Sequence, residues 1–117
     1  MAEYDIAVIG GDKRIAYMIP FFMEKGYRVI GDKVYRNKNM EIKADGYADS
    51  LKQAVESASI IVGGIPIEKK GIVNLRELSR HIRKHHRVFG GVIPEAFRQE
   101  CSERSIECYD FMKDESI

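Results

Sequence analysis

Three apolar runs of strand length each stop at a glycine pair: Val8-Ile9 at Gly10-Gly11, Ile61-Val62 at Gly63-Gly64, and Val88-Phe89 at Gly90-Gly91. Runs this short and this apolar, with no polar alternation, read as strands covered on both faces. A glycine pair at the end of such a strand meets one of two needs: a backbone with positive φ, or close approach by another part of the molecule. Three repetitions imply either three independent tight turns or three turns gathered at one place.

The intervening stretches decide the layout. Ile15, Met18, Ile19 and Phe22 fall at i, i+3, i+4 and i+7 and lay one apolar stripe on a helix that Gly26 ends, with Pro20 expected to bend it or to end its first half. Leu51, Ala54, Val55 and Ala58 repeat the spacing, as do Leu75, Leu78 and Ile82, the latter helix capped by Asn74. Pro94 suits the first position of a helix that turns Phe97 and Cys101 inward. Strands are predicted over 5–9, 27–30, 59–62, 87–89 and 106–111. Between Gly31 and Gly46 the pattern is undecided between a small hairpin around Asn37-Lys38-Asn39 and an irregular connection.

Strands alternating with helices build βαβ units, hence a parallel sheet with helices on both faces. The prediction is a single α/β domain over residues 1–117, a flavodoxin-like or half-Rossmann three-layer sandwich with a five-stranded parallel sheet in the order 2-1-3-4-5. In that order the chain reverses direction between the first and third strands, and ligands enter the crevice outside their carboxyl ends. All three glycine turns would then share one rim.

Composition removes several functions. The 117 residues carry 19 Lys plus Arg against 18 Asp plus Glu, which gives neither nucleic acid nor an anionic membrane surface an electrostatic handle. The sequence shows no run of spanning length and no secretory leader pattern, so a cytoplasmic protein is expected. Cys101 and Cys108 form no metal or redox motif and are expected to be reduced core residues.

Each candidate motif has a plain reading beside the functional one. Gly10-Gly11-Asp12-Lys13-Arg14 is either an anion or substrate site reinforced by Arg14, or a tight turn with solvated charges. It fails as a dinucleotide fingerprint, because Asp12 and Ile15, or Lys13 and Ala16, stand where glycines belong. The loop from Gly63 to Gly71 is either a cover over the crevice or an ordinary connection with a solvated Glu68-Lys69-Lys70. Gly90-Gly91 is explained by turn geometry or by main-chain contacts to a ligand. His81 and His85 have the i, i+4 spacing of a metal pair but no third ligand, and Arg80, Arg83 and Lys84 around them favour a solvated basic face, so no metal is expected. Met18, Phe21, Phe22 and Met23 read as core or interface packing, with Phe21 and Met23 partly off the main stripe and hinting at a second covered face.

Taken together, IAVIGGDKR, the strand ending ahead of Pro66, and HHRVFGGVIPEAF leading into IECYDFMKDESI resemble the N-terminal domain of dipicolinate synthase, in its A subunit. That resemblance implies the substrate side of a sporulation enzyme that oxidises dihydrodipicolinate to dipicolinate with NADP. NADP would be held in a second, Rossmann domain not found in this chain, so the domain itself holds no cofactor and the isolated chain is expected to be inactive. Implied partners are a small dicarboxylate substrate, the flavoprotein-like B subunit of dipicolinate synthase, the cofactor domain of the same polypeptide and, as an option, a second copy. Expected substrate-side residues are Gly10, Gly11, Asp12, Arg14, Gly64, Pro66, Gly90 and Gly91, with Arg14 pairing a substrate carboxylate; catalytic residues are not assigned. The competing expectations are a non-catalytic interaction module and a stand-alone nucleotide binder.

Overall fold

A computed structural model of the protein describes residues 3–36 and 42–113. Strands β1 (Ile6–Val8), β2 (Val29–Asp32), β3 (Gly46–Ala48), β4 (Ile60–Val62), β5 (Arg87–Gly90) and β6 (Glu107–Asp110) form one sheet. All neighbours are parallel, in the order β3-β2-β1-β4-β5-β6.

The five expected strands take the expected order 2-1-3-4-5, as β2-β1-β4-β5-β6 in a Rossmann-like arrangement, and the count is corrected to six. The added strand is β3 at the edge, outside β2. Its three residues, Gly46, Tyr47 and Ala48, carry no apolar run that periodicity detects. Asp45 seats it instead, accepting the Val29 N–H at 2.7 Å on its side chain while its own N–H donates to the Val29 carbonyl at 2.9 Å. Of the undecided segment, 33–36 forms a single 3-10 turn that buries Tyr35. The rest of the hairpin alternative, around Asn37-Lys38-Asn39, lies outside the described residues.

The helices are α1 (Lys13–Ala16), α2 (Met18–Glu24), α3 (Leu51–Glu56), α4 (Leu75–His81) and α5 (Glu95–Glu103). The first predicted helix is indeed in two halves, broken at Tyr17. Pro20 explains the break: it has no N–H for the Ala16 carbonyl, and its ring crowds that turn. Asn74 caps α4 as expected, accepting the N–H groups of Arg76 at 2.9 Å and Glu77 at 3.2 Å.

Alternation along each strand divides the core in two. Ala7, Ile9, Ile30, Ile61 and Val88 face α3, α4 and α5 and pack with Val55, Leu78, Ile82, Phe97 and Cys101. Ile6, Val8, Val29 and Val62 face the other way, onto Ile15, Ala16, Ile19 and Tyr35. Burying each such aliphatic side chain contributes roughly 1.5–3 kcal/mol. Cys101 is buried in the first cluster with Cys108 packed against it, and neither is in a disulfide.

His86 lies among these residues, 2% exposed. Its Nδ1 accepts the Arg83 N–H at 2.8 Å and its Nε2 lies 2.8 Å from the Val55 carbonyl, which assigns a neutral ring protonated on Nε2. Burial lowers its pKa. His81 ends α4 whereas His85 lies beyond it in the turn before β5, its ring tilted against that of His86, so the two do not share a helix face. Among the described residues no cluster of His, Cys, Asp or Glu fits a metal ion, and no helix is long and apolar enough to cross a membrane.

Candidate functional site

The reversal of strand order falls between β1 and β4, and a crevice opens beyond their carboxyl ends. Its cavity of about 390 Å³ is lined by Gly10, Gly11, Asp12, Lys13, Arg14, Ile65, Pro66 and Lys69. That volume falls within the roughly 300–1,000 Å³ typical of small-molecule sites. A cavity of about 500 Å³ lies against α5 and the edge strand β6, but no turn from the switch point reaches it.

The three glycine turns converge, as the topology requires. The Gly63 N–H donates to the Phe89 carbonyl at 2.7 Å, the Gly91 N–H to the Gly64 carbonyl at 2.9 Å, and the Ile67 N–H to the Gly91 carbonyl at 2.8 Å. The glycines serve different ends. Gly10 and Gly11 have φ of 99° and 70°, which a side chain would oppose. Gly63, Gly64, Gly90 and Gly91 make room for neighbours: a Cβ on Gly64 would lie 2.8 Å from that of Asp12, and one on Gly63 2.7 Å from Ile67 Cγ1. Gly90 would likewise strike Ile67, and Gly91 would strike Ile65. Gly10, Gly11, Asp12, Arg14 and Pro66 thus line the cavity. Gly64, Gly90 and Gly91 form its support, behind Asp12 and the side chains of Ile65 and Ile67.

Asp12 organises the crevice. Its carboxylate accepts the Arg14 N–H at 2.8 Å and, across the crevice, the Ile65 N–H at 3.0 Å. Arg14 closes the ring: Nε and Nη2 donate to the two Asp12 oxygens at 3.3 and 3.1 Å, and Nη2 also donates to the Ile65 carbonyl at 2.7 Å. Burial pushes the Asp12 carboxyl up, but the N–H groups of Ile65 and Arg14 and the guanidinium outweigh it and bring the pKa down to about 2. The Tyr35 hydroxyl donates to the Asp12 carbonyl from beneath, with its own pKa pushed up first by burial and then by the Asp12 and Asp32 carboxylates.

This arrangement explains the failed dinucleotide fingerprint chemically. In such sites the second glycine lets the pyrophosphate approach the main chain, and an acid at the end of β2 takes the ribose hydroxyls. Here a fixed carboxylate stands at the second glycine's position and occupies the N–H groups on both sides. Asp32, at the end of β2, accepts the N–H groups of Gly10 at 3.4 Å and Val34 at 3.2 Å. Both carboxylates tie neighbouring turns together.

What remains for a ligand is positive. Lys13, Arg14 and Lys69 line the cavity against the single carboxylate of Asp12. Arg14 has committed three of its five N–H donors, which leaves Nη1 for an anion and rules out a two-pronged grip while Asp12 is held. The cavity's ionisable side chains are a held carboxylate and three basic groups. Sequence reasoning passed over Lys13, Ile65 and Lys69. Lys69 was visible as part of a charged loop between glycines, but only the fold turns that loop toward Gly10.

A second surface lies on the sheet face opposite α3, α4 and α5. There α1 and α2 cover β1 and β2, but a groove of about 460 Å³ remains above β4 and β5, lined by Ile60, Val62, Ile65, Phe89 and Phe111 with Met18 and Phe22 as its wall. Phe89 stacks with Tyr109 at 5.0 Å and with Phe111 at 6.4 Å. Phe21 at its margin is 50% exposed.

Comparison with known proteins agrees with the fold. No curated protein matches the chain. Among solved structures, an imine reductase from Myxococcus stipitatus, a V8 variant in complex with NAD+, is similar over 92% of this chain at 20% identity with a TM-score of 0.63. At that identity the likeness concerns the fold, and this chain spans 39% of the reductase. The family model for the N-terminal domain of dipicolinate synthase, in its A subunit, matches residues 5–112, and with nearly the whole chain accounted for, the protein belongs to that family.

Proposed function

We propose that this domain is the substrate side of a sporulation oxidoreductase that converts dihydrodipicolinate to dipicolinate, with NADP carried by a separate Rossmann domain. Asp12 carries this reading. By filling the N–H groups at the switch point with a carboxylate of the chain itself, it closes the crevice to a pyrophosphate while leaving three cations around a cavity of small-molecule size. A small dicarboxylate matches that charge, and hydride transfer then belongs to the cofactor brought from outside.

The half-covered sheet face supports the docking part of the reading. An apolar groove beside exposed Phe21 and Met18 is the kind of surface that meets another protein domain. The cofactor domain of the same polypeptide, the enzyme's B subunit, or a second copy of this chain are the candidates for that contact. A purely non-catalytic docking module shares the groove but gives no role to the cations.

Titration of the ¹⁵N-labelled chain with dipicolinate tests the proposal. Shifts are expected at Gly10, Gly11, Lys13 and Lys69, with none on adding NADP. Saturable NADP shifts at the Gly10–Arg14 turn would overturn it in favour of a nucleotide binder.

A further inference from the structure

We infer that Lys69 is the residue that makes this site select a ligand with two carboxylates over one with a single carboxylate. The inference rests on reading the crevice as a dicarboxylate site and adds which groups hold each end.

The two walls of the crevice are unequal. On the β1 side stand Lys13 and Arg14, the latter with only Nη1 uncommitted. On the β4 side the cavity wall is Ile65, Pro66 and Lys69, and Lys69 is its only charge. Neither Lys13 nor Lys69 has an ion-pair partner among the described residues. A ligand with one carboxylate is satisfied by the β1 wall alone. A second carboxylate reaching across meets Lys69.

Lys69 is also well held for an exposed lysine. Its backbone forms a bridge with Val73, donating to the Val73 carbonyl at 3.0 Å and accepting the Val73 N–H at 2.8 Å. Val73 is 1% exposed and Ile67 is fully buried, so the segment is pinned in the core on both sides of the lysine. Gly71, at φ 80°, makes the tight return that this bridge needs. Glu68, the neighbouring acid, is turned away from the cavity and accepts the Leu75 N–H at 3.1 Å, so it does not neutralise Lys69. A fixed backbone lowers the entropy lost when the ammonium group is immobilised on a ligand.

The experiment measures affinity for dipicolinate and for picolinate, its analogue with one carboxylate, by calorimetry on the wild-type chain, Lys69→Met and Lys69→Arg. A charged hydrogen bond of ~1.5–3 kcal/mol corresponds to a preference for dipicolinate of roughly ten- to a hundredfold in the wild type. Lys69→Met should lose most of that preference, weakening dipicolinate binding far more than picolinate binding, and Lys69→Arg should retain it. The three chains should melt at the same temperature, since the side chain is exposed. If the wild type binds dipicolinate and Lys69→Met binds it equally well, the assignment of Lys69 is wrong while the substrate reading stands. If the wild type binds no dipicolinate, the substrate reading falls and this inference with it.

Discussion

The two faces of the sheet are built from adjacent residues of the same strands yet are finished differently. Ile61 and Ile60 are neighbours in β4: Ile61 is fully buried beneath α3 to α5, whereas Ile60 lines the open groove. One face is a completed core, and the other is completed only over β1 and β2. The difference shows that strand hydrophobicity reports what a residue is meant to meet, whether or not the meeting partner lies within the domain.

The sharpest way to break that comparison is to truncate both neighbours. Ile61→Ala should destabilise the chain by about 2–5 kcal/mol, the usual cost of a cavity in a closed core. Ile60→Ala should cost less than half as much, read from urea melts of the two variants. Equal losses would mean the groove is closed in solution by self-association. Next in size, Gly64→Ala should cost about 1–3 kcal/mol, because the new methyl meets the Cβ of Asp12, itself held by three groups.

Acid titration then separates the polar rim from both faces. A folded pKa of about 2 against an ordinary 3.8 means that Asp12 contributes stability above about pH 4 and loses it as the pH falls through 2. At roughly 1.4 kcal/mol per pH unit of displacement, that contribution is about 2–3 kcal/mol. Asp12→Asn should be less stable at pH 7 by a similar amount and should show a flatter acid limb. His86 works at a different pH: its depressed pKa means stability is lost as the pH drops below about 6.5, and His86→Gln should remove that slope from the urea midpoint.

The smallest stability effect is expected on the open face. Met18→Ser should change the melting temperature little, since Met18, on the groove wall, is 38% exposed. It should nevertheless abolish any dimer or partner complex seen by sedimentation. A large loss of monomer stability would show that the face is closed from within the chain.

The α/β layout and the inward stripes of α3, α4 and α5 followed from apolar spacing, because burial on one side of a periodic element leaves a periodic trace; the break at Tyr17 followed from Pro20, and Met18, expected on the first helix's stripe, is exposed on the groove wall. Strand β3 left no such trace, being three residues long and seated by Asp45. The site divides in the same way. Gly10, Gly11, Asp12 and Arg14 stood out because they interrupt a strand-to-helix turn, whereas Lys69 looked like any solvated lysine.

The sequence by itself determined that this chain forms a parallel sheet whose turns need glycine, and that no dinucleotide fingerprint follows its first strand. Only the tertiary structure decided what each glycine is for, that Asp12 and Arg14 bind one another and Ile65, and that Lys69 and Lys13 line one crevice. The physical reason is that periodicity records local burial, while hydrogen bonds and charge pairs between residues some 50 positions apart exist only once the strands are in register.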